Sequence, residues 1–212
     1  FDTTAVRTEN SWLLGINSNL PRDIRVKLVK FVYDDFHARH SAIARTYHYY
    51  IDNSKVSSAI FHGRLLWVPM HLDIIKMNEA ARYLVGKHDF KNFARILEKD
   101  SVDTRRKINS IDIISKGNIL ICEIKGISFL WHQVRKMIGA ATDVTHGRRE
   151  IIDIKKALNG EKIEFTMAKA EFLTLNNIEY ENIVIEKVKN ERNMRKKYEL
   201  SRSDNFFWEE LL

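Results

Sequence analysis

The chain has 212 residues, 44% of them hydrophobic, and 35 lysines and arginines against 28 aspartates and glutamates, for a formal net charge of +7. That balance allows a packed core in one domain or two and favours nucleic acid or another polyanion as a partner. A lone cysteine, Cys122, excludes a disulfide framework, and no run reaches the roughly 18 apolar residues of a membrane span.

In chain order, Phe1–Thr4 is too short to form an element. A helix is expected over Thr8–Asn19, with Thr8 as its cap, Trp12, Leu13, Ile16 and Leu20 at helical spacing, and Pro21 just past its end. Ile24–Val32 alternates Ile24, Val26 and Leu28 against Arg25 and Lys27 and is expected to be a strand with one wet, positive face. A basic, aromatic turn from Asp35 then feeds a strand that ends at Ile51. Period-2 alternation puts Arg45, Tyr47, Tyr49 and Ile51 on one face and Thr46, His48 and Tyr50 on the other. A guanidinium beside phenol rings suits a phosphate backbone and a base taken out of its stack, although Tyr is also an ordinary strand former.

After an irregular stretch, Asn53–His71, the order becomes regular. Asp73 caps a helix presenting Ile74, Met77, Ala81 and Leu84, closed by Gly86. Arg106–Ile114 and Ile119–Lys125 are strands joined by a Ser115–Asn118 turn. Cys122, inside the second of them, is expected to be a small buried apolar residue. Leu130–Thr145 is a helix with Val134, Met137, Ile138, Ala141 and Val144 on one stripe. A short helix, Ile151–Leu158, stops at Asn159-Gly160, and Phe172–Tyr180 and Asn182–Ile185 are expected to be closing strands. Strand, helix, strand, strand, helix, strand is the split βαβ, or ferredoxin-like, order.

The first 33 residues have the order of only the back end of a second such unit. The expected architecture is therefore α+β: two ferredoxin-like halves sharing a mixed, mainly antiparallel sheet, with the first half incomplete and its partners upstream of Phe1. The expected divisions are residues 1–40 (remnant of the first half), 41–186 (second half) and 187–212 (charged tail). Within the tail, Phe206, Phe207, Trp208, Leu211 and Leu212 are expected to dock back onto the body. The start at Phe1 suggests a processed or truncated product, and a reducing cytoplasm is the default compartment.

No phosphate-cradling glycine motif occurs, and no serine nucleophile is signalled. His37 and His40 are three apart in a turn, where a polar role is the better reading than a metal site. What remains is basic residues interleaved with aromatics: Arg39, Arg45, Tyr47, Lys87, His88, Lys91, Arg105, Arg106, Arg135 and Lys136. Phosphates take the charge in such a pattern and exposed bases take the stacking.

Several blocks resemble the tRNA pseudouridine synthase A family. They are F-D-T-T-A-V-R-T-E-N-S-W-L-L-G-I-N-S-N-L-P, D-D-F-H-A-R-H-S-A-I-A-R-T-Y-H-Y, L-D-I-I-K-M-N-E-A-A-R-Y-L-V-G-K-H-D-F-K-N-F, F-L-W-H-Q-V-R-K-M-I-G and A-K-A-E-F-L-T-L-N-N-I-E-Y. They run in the family's order from Phe1 to about Ile185. The resemblance implies isomerisation of uridine to pseudouridine in the tRNA anticodon stem-loop, at positions 38–40 of the tRNA. It implies no cofactor and no metal, and a homodimer with RNA lying across both subunits. Tyr47 matches the family tyrosine that stacks on the target base. Arg135 matches the arginine that pairs with the catalytic aspartate and keeps it ionised. Leu173 matches the leucine lining the base pocket, and Arg45 and Arg39 are expected to contact RNA.

The sequence also departs from the family pattern. The aspartate motif G-R-T-D-A-G-V-H is not in the chain and is expected several residues upstream of Phe1, so the 212 residues alone are expected to lack activity and to be poorly stable. The alternative is a non-catalytic RNA-binding remnant of the same fold. Smaller departures are Trp131, Gln133 and Phe172, the last at a position where glycine is usual and where a ring could narrow the base pocket.

Overall fold

The computed structural model describes residues 1–97, 102–181 and 183. Two compact units divide the chain, and Ala42–Tyr180 makes up one of them, with Phe1–Ser41 in the other. The expected strand Asn182–Ile185 lies almost wholly outside the described residues, and the charged tail and its apolar cluster lie entirely outside them.

Within Phe1–Ser41, helix α1 (Glu9–Asn19) starts as expected, because Thr8 stays extended and its Oγ1 accepts the Ser11 amide at 3.2 Å. The strand expected over Ile24–Val32 does not form. A strand needs a ladder of backbone partners, and here a single side chain supplies one rung. Asn17, buried on α1, donates from Nδ2 to the Val26 carbonyl at 2.8 Å and accepts the Val26 amide on Oδ1 at 2.9 Å. Glu9 adds an ion pair to Lys30 at 3.2 Å and accepts the Phe31 amide at 3.3 Å. The alternation in the sequence thus marks an extended segment laid along a helix.

In Ala42–Tyr180, strand β1 (Ala42–Asp52) is the spine. Strand β5 (Ile119–Gly126) runs antiparallel along one edge, with Arg45 opposite Gly126 and Asp52 opposite Ile119. The other edge takes β6 (Leu173–Tyr180) antiparallel and, at Ile51 and Asp52, the two-residue β2 (Leu66–Trp67) in parallel. Strand β4 (Arg105–Lys116) pairs with β5 through a tight turn at Gly117, and β3 (Gly86–Asp89) pairs with β4. Without the two short additions, β2 and β3, the spatial order is β6-β1-β5-β4. With one α-helix between β1 and β4 and two between β5 and β6, this is the split βαβ arrangement, extended by a short helix, in a mixed, mainly antiparallel sheet.

The helices start and stop for local reasons. Asp73 accepts the Lys76 amide at 3.0 Å to open α2 (Ile74–Arg82). That helix stops short of Gly86, which at φ +113° opens β3 instead of closing the helix. Helix α3 (Gln133–Thr145) begins three residues later than expected, because His132 turns the chain through φ 64°. Glu150 and Asp153 form a reciprocal capping box for α4 (Ile151–Leu158).

The core lies between the helices and one face of the sheet. Tyr49, Ile51, Ile108, Ile124, Met77, Met137, Phe90, Phe93 and Ile154 are all sealed from solvent there. Cys122 belongs to it, and burial alone pushes its thiol up to about 12, so it is unreactive.

Candidate active site

The alternation of β1 holds. Thr46, His48 and Tyr50 face away from the core, where the His48 ring joins the Tyr50 hydroxyl at 3.0 Å and Glu123 at 2.7 Å. Tyr47, Tyr49 and Ile51 face the helices. The register puts Tyr47 between Ile124 of β5 and Leu175 of β6, and Tyr49 between Cys122 and Leu173. Directly paired residues project to the same face, so residues far apart in sequence form one row around the two tyrosines. The β1–β6 register shifts between Thr46 and Tyr47, leaving Asn176 unpaired. A bulge at this point re-aims the side chains beside it.

The two tyrosines have different fates. Tyr49 is sealed, with the Phe172 ring edge-on at 6.4 Å. Burial, chiefly, pushes its hydroxyl well above the usual phenol range, against the pull of the Arg135 guanidinium. Tyr47 is only part-buried, and the Phe129 ring meets it edge-on at 5.2 Å and 89°. Of the pair, only Tyr47 can present a ring to a ligand. Phe172, expected to narrow a pocket, packs on Tyr49.

Arg135 stands in the first turn of α3, half-buried. Its Nε donates to the Ala168 carbonyl at 2.6 Å, and its own carbonyl accepts the Ala168 amide at 3.2 Å. Among the described residues no ion pair joins it to a carboxylate, although a guanidinium offers further donors from its Nη atoms. The segment that holds it crosses α3 one turn further on, at Gly139, where any Cβ would meet the Thr166 carbonyl oxygen at 1.6 Å. One more turn along, buried Asp143 accepts both the Thr166 amide and its hydroxyl at 2.7 Å. Arg135, Gly139 and Asp143 are spaced four apart, so one stripe of α3 carries the whole clamp.

The loop before α3 is held just as firmly. Gln133 is fully buried, and its Oε1 accepts the Leu130 amide at 2.8 Å, so this departure from the family block closes the turn ahead of α3. His132, in the left-handed region, has its imidazolium disfavoured by burial and then by Arg135, Arg95 and Lys136. Lys136 donates to the Asn92 and Ala94 carbonyls at 3.2 and 3.0 Å.

Of the expected contact residues, Tyr47, Leu173 and Arg135 lie against the same core face. Arg45 spends Nη1 on the Ile127 carbonyl at 2.5 Å and so braces the loop after β5. Arg39 belongs to the other unit, exposed in a turn that His37 organises by accepting the Arg39 and His40 amides on Nδ1. His37 therefore fills the polar turn role expected of it. Sequence reasoning missed Leu175 and Phe129, the neighbours of Tyr47, because a strand register and a ring contact are long-range facts. Among the described residues, no three His, Cys, Asp or Glu side chains gather as a metal would require. No helix of the described residues is long and apolar enough to cross a membrane.

Comparison with known proteins adds independent findings. A family model described as tRNA pseudouridine synthase matches residues 80–181. The tRNA pseudouridine synthase A of Mannheimia succiniciproducens is 40% identical over 182 residues, a match covering 85% of this chain and 69% of that protein. The protein of the same name from Shewanella loihica is 39% identical over 158 residues, covering 74% and 60%. That from Histophilus somni is 35% identical over 184 residues, covering 86% and 68%. The matched stretch thus spans about two thirds of the relatives' length.

Proposed function

This chain belongs to the tRNA pseudouridine synthase family, and on that premise we propose that Tyr47, Arg135 and Leu173 serve the isomerisation of uridine to pseudouridine in the anticodon stem-loop of tRNA, at positions 38–40. The observation that carries this reading is the state of Arg135. Its backbone and Nε are fixed by Ala168 on the same core face as the Tyr47 row, while its Nη atoms have no carboxylate among the described residues.

In this reaction the bond from uracil N1 to ribose C1′ breaks, the base turns, and C5 bonds to C1′. The C5 hydrogen leaves as a proton and N1 gains one, so no electrons are exchanged with any other molecule. Arg135 pairs with the nucleophilic aspartate and keeps it ionised, since an adjacent cation favours the charged form. Tyr47 stacks on the uracil while it is detached. Leu173 and Leu175 keep water off that face, and Arg45 and Arg39 take phosphates. The same reading carries a homodimer in the cytoplasm, with tRNA lying across both subunits and no cofactor.

The sequence of 212 residues does not contain the family's aspartate motif, so the test uses this chain preceded by a segment that carries it. Unmodified tRNA transcripts with tritium at uridine C5 are incubated with that protein. Release is expected, and it should fall when uridines 38–40 are replaced by cytidine. Release that ignores those replacements would overturn the assignment.

A further inference from the structure

We infer that Trp131, together with Arg95, forms a second nucleobase-stacking site that takes an unpaired base of the RNA loop flanking the target uridine. Trp131 is 53% exposed at the end of the loop between β5 and α3. The Arg95 guanidinium lies 4.9 Å from its ring centroid, and the Arg95 amide donates to the Trp131 carbonyl at 3.0 Å, so two distant segments are tied together there. The His132 ring lies 4.6 Å away at 44°.

Single exposed apolar side chains are common and need no explanation. Three observations set this one apart. First, the backbone that carries the indole is fixed: the Trp131 carbonyl accepts the Arg95 amide, and the next residue, His132, keeps a left-handed backbone without being glycine, a strained state that persists only where its surroundings enforce it. Second, the same loop carries Phe129, which packs on Tyr47. Phe129 and Trp131 are two residues apart, so their Cα atoms are separated by at most about 7 Å, and the two rings serve neighbouring places. Third, the surroundings are cationic. Arg95, Arg135 and Lys136 all act on His132, and Lys136 is already committed to carbonyls.

An aromatic plane with one cation over it and others beside it matches a nucleobase joined to phosphate. The base takes the π face, and Arg95 swings to the phosphate without losing the ring edge. An apolar protein surface would not call for cations around the indole. The inference goes beyond the three residues assigned to the target base, and it rests on the reading of this face as one that receives RNA.

The test measures equilibrium binding of the 212-residue chain to a fluorescently labelled anticodon stem-loop, and to stem-loops with one loop nucleotide made abasic. For the unaltered chain, one abasic position other than the target uridine should weaken binding about tenfold. Trp131→Ala should weaken binding to the intact stem-loop by a similar factor and be indifferent to that abasic position, while Trp131→Phe should keep part of the effect. Arg95→Ala should lower the slope of log affinity against log salt by about one. If Trp131→Ala binds the intact stem-loop as the unaltered chain does, the second stacking site is refuted and the proposed function stands. If the unaltered chain binds no stem-loop at low salt, the RNA reading of this face fails as well.

Discussion

Gly139 and Thr166 touch backbone to backbone. A Cβ on Gly139 would sit 1.6 Å from the Thr166 carbonyl oxygen and 2.6 Å from its carbonyl carbon. No rotamer relieves such an overlap, because the obstacle is main chain. Gly139→Ala must therefore push residues 166–168 off α3, and Ala168 is what holds Arg135. The expected cost is at least ~3 kcal/mol in a urea melt. Turnover should fall further than the lost folded fraction explains. Unchanged stability would mean that the close approach is not as tight as the structure has it.

Asp143 gives a second handle on the same clamp. It is 3% exposed and accepts the Thr166 amide, the Thr166 hydroxyl and, at 3.2 Å, Arg148. Asp143→Ala removes a buried acceptor from donors that water can partly re-satisfy, since Thr166 is exposed and the Arg148 side chain is half-exposed, and should cost about 1–2 kcal/mol. Thr166→Val should cost about 1 kcal/mol. Because the two residues share one contact, the double variant should lose less than the sum of the single ones. Additive losses in chemical denaturation would show that they do not act together.

Tyr47→Ala, in a protein that carries the family's aspartate segment, should lower turnover at least about 100-fold while changing tRNA affinity less than about fivefold, since phosphate contacts dominate affinity. Tyr47→Phe should keep most of both, because the hydroxyl has no part in stacking. Gel-shift titration beside single-turnover kinetics separates the two quantities. Equal losses of binding and turnover would remove Tyr47 from the chemistry.

Acid should destabilise the fold. Both ring nitrogens of His146 are buried without a partner among the described residues. Burial first, then Arg148, holds its imidazolium below the ordinary value of 6.5, against the opposing pull of Asp143. A base with a lowered pKa in the folded state binds fewer protons there than in the unfolded chain. Its stabilising contribution is therefore intact above pH 6.5 and is lost as pH falls from that value towards the folded one. His132 is shifted the same way. His146→Phe should flatten the fall in unfolding free energy between pH 7 and pH 5, as read from denaturant midpoints. A slope identical to that of the parent would contradict the assignment.

Periodicity and caps made most of Ala42–Tyr180 legible in the sequence. Thr8 and Asp73 marked true helix starts, and the β4–β5 hairpin showed itself through two apolar runs around a Lys116-Gly117 turn. What stayed hidden was either too short for a period or created by distant partners. Strands Leu66–Trp67 and Gly86–Asp89 are too brief to alternate visibly. Ile24–Val32 alternates yet forms no strand, because only a structure shows that Asn17 stands where a ladder would be. At the site, the face of Tyr47 could be read from alternation alone. That Phe172 packs on Tyr49, and that β6 bulges at Asn176 beside Tyr47, are long-range facts that leave no local signature.

The central claim is that Arg135, held by Ala168 beside the Tyr47 row, pairs with the nucleophile that isomerises uridine. The most direct measurement is enzyme-dependent tritium release from tRNA labelled at uridine C5, comparing Arg135→Ala with the unaltered sequence, both preceded by the aspartate-bearing segment. The account predicts release by the unaltered protein and near-complete loss in Arg135→Ala, with tRNA binding and the urea midpoint kept. Undiminished release from Arg135→Ala would contradict it.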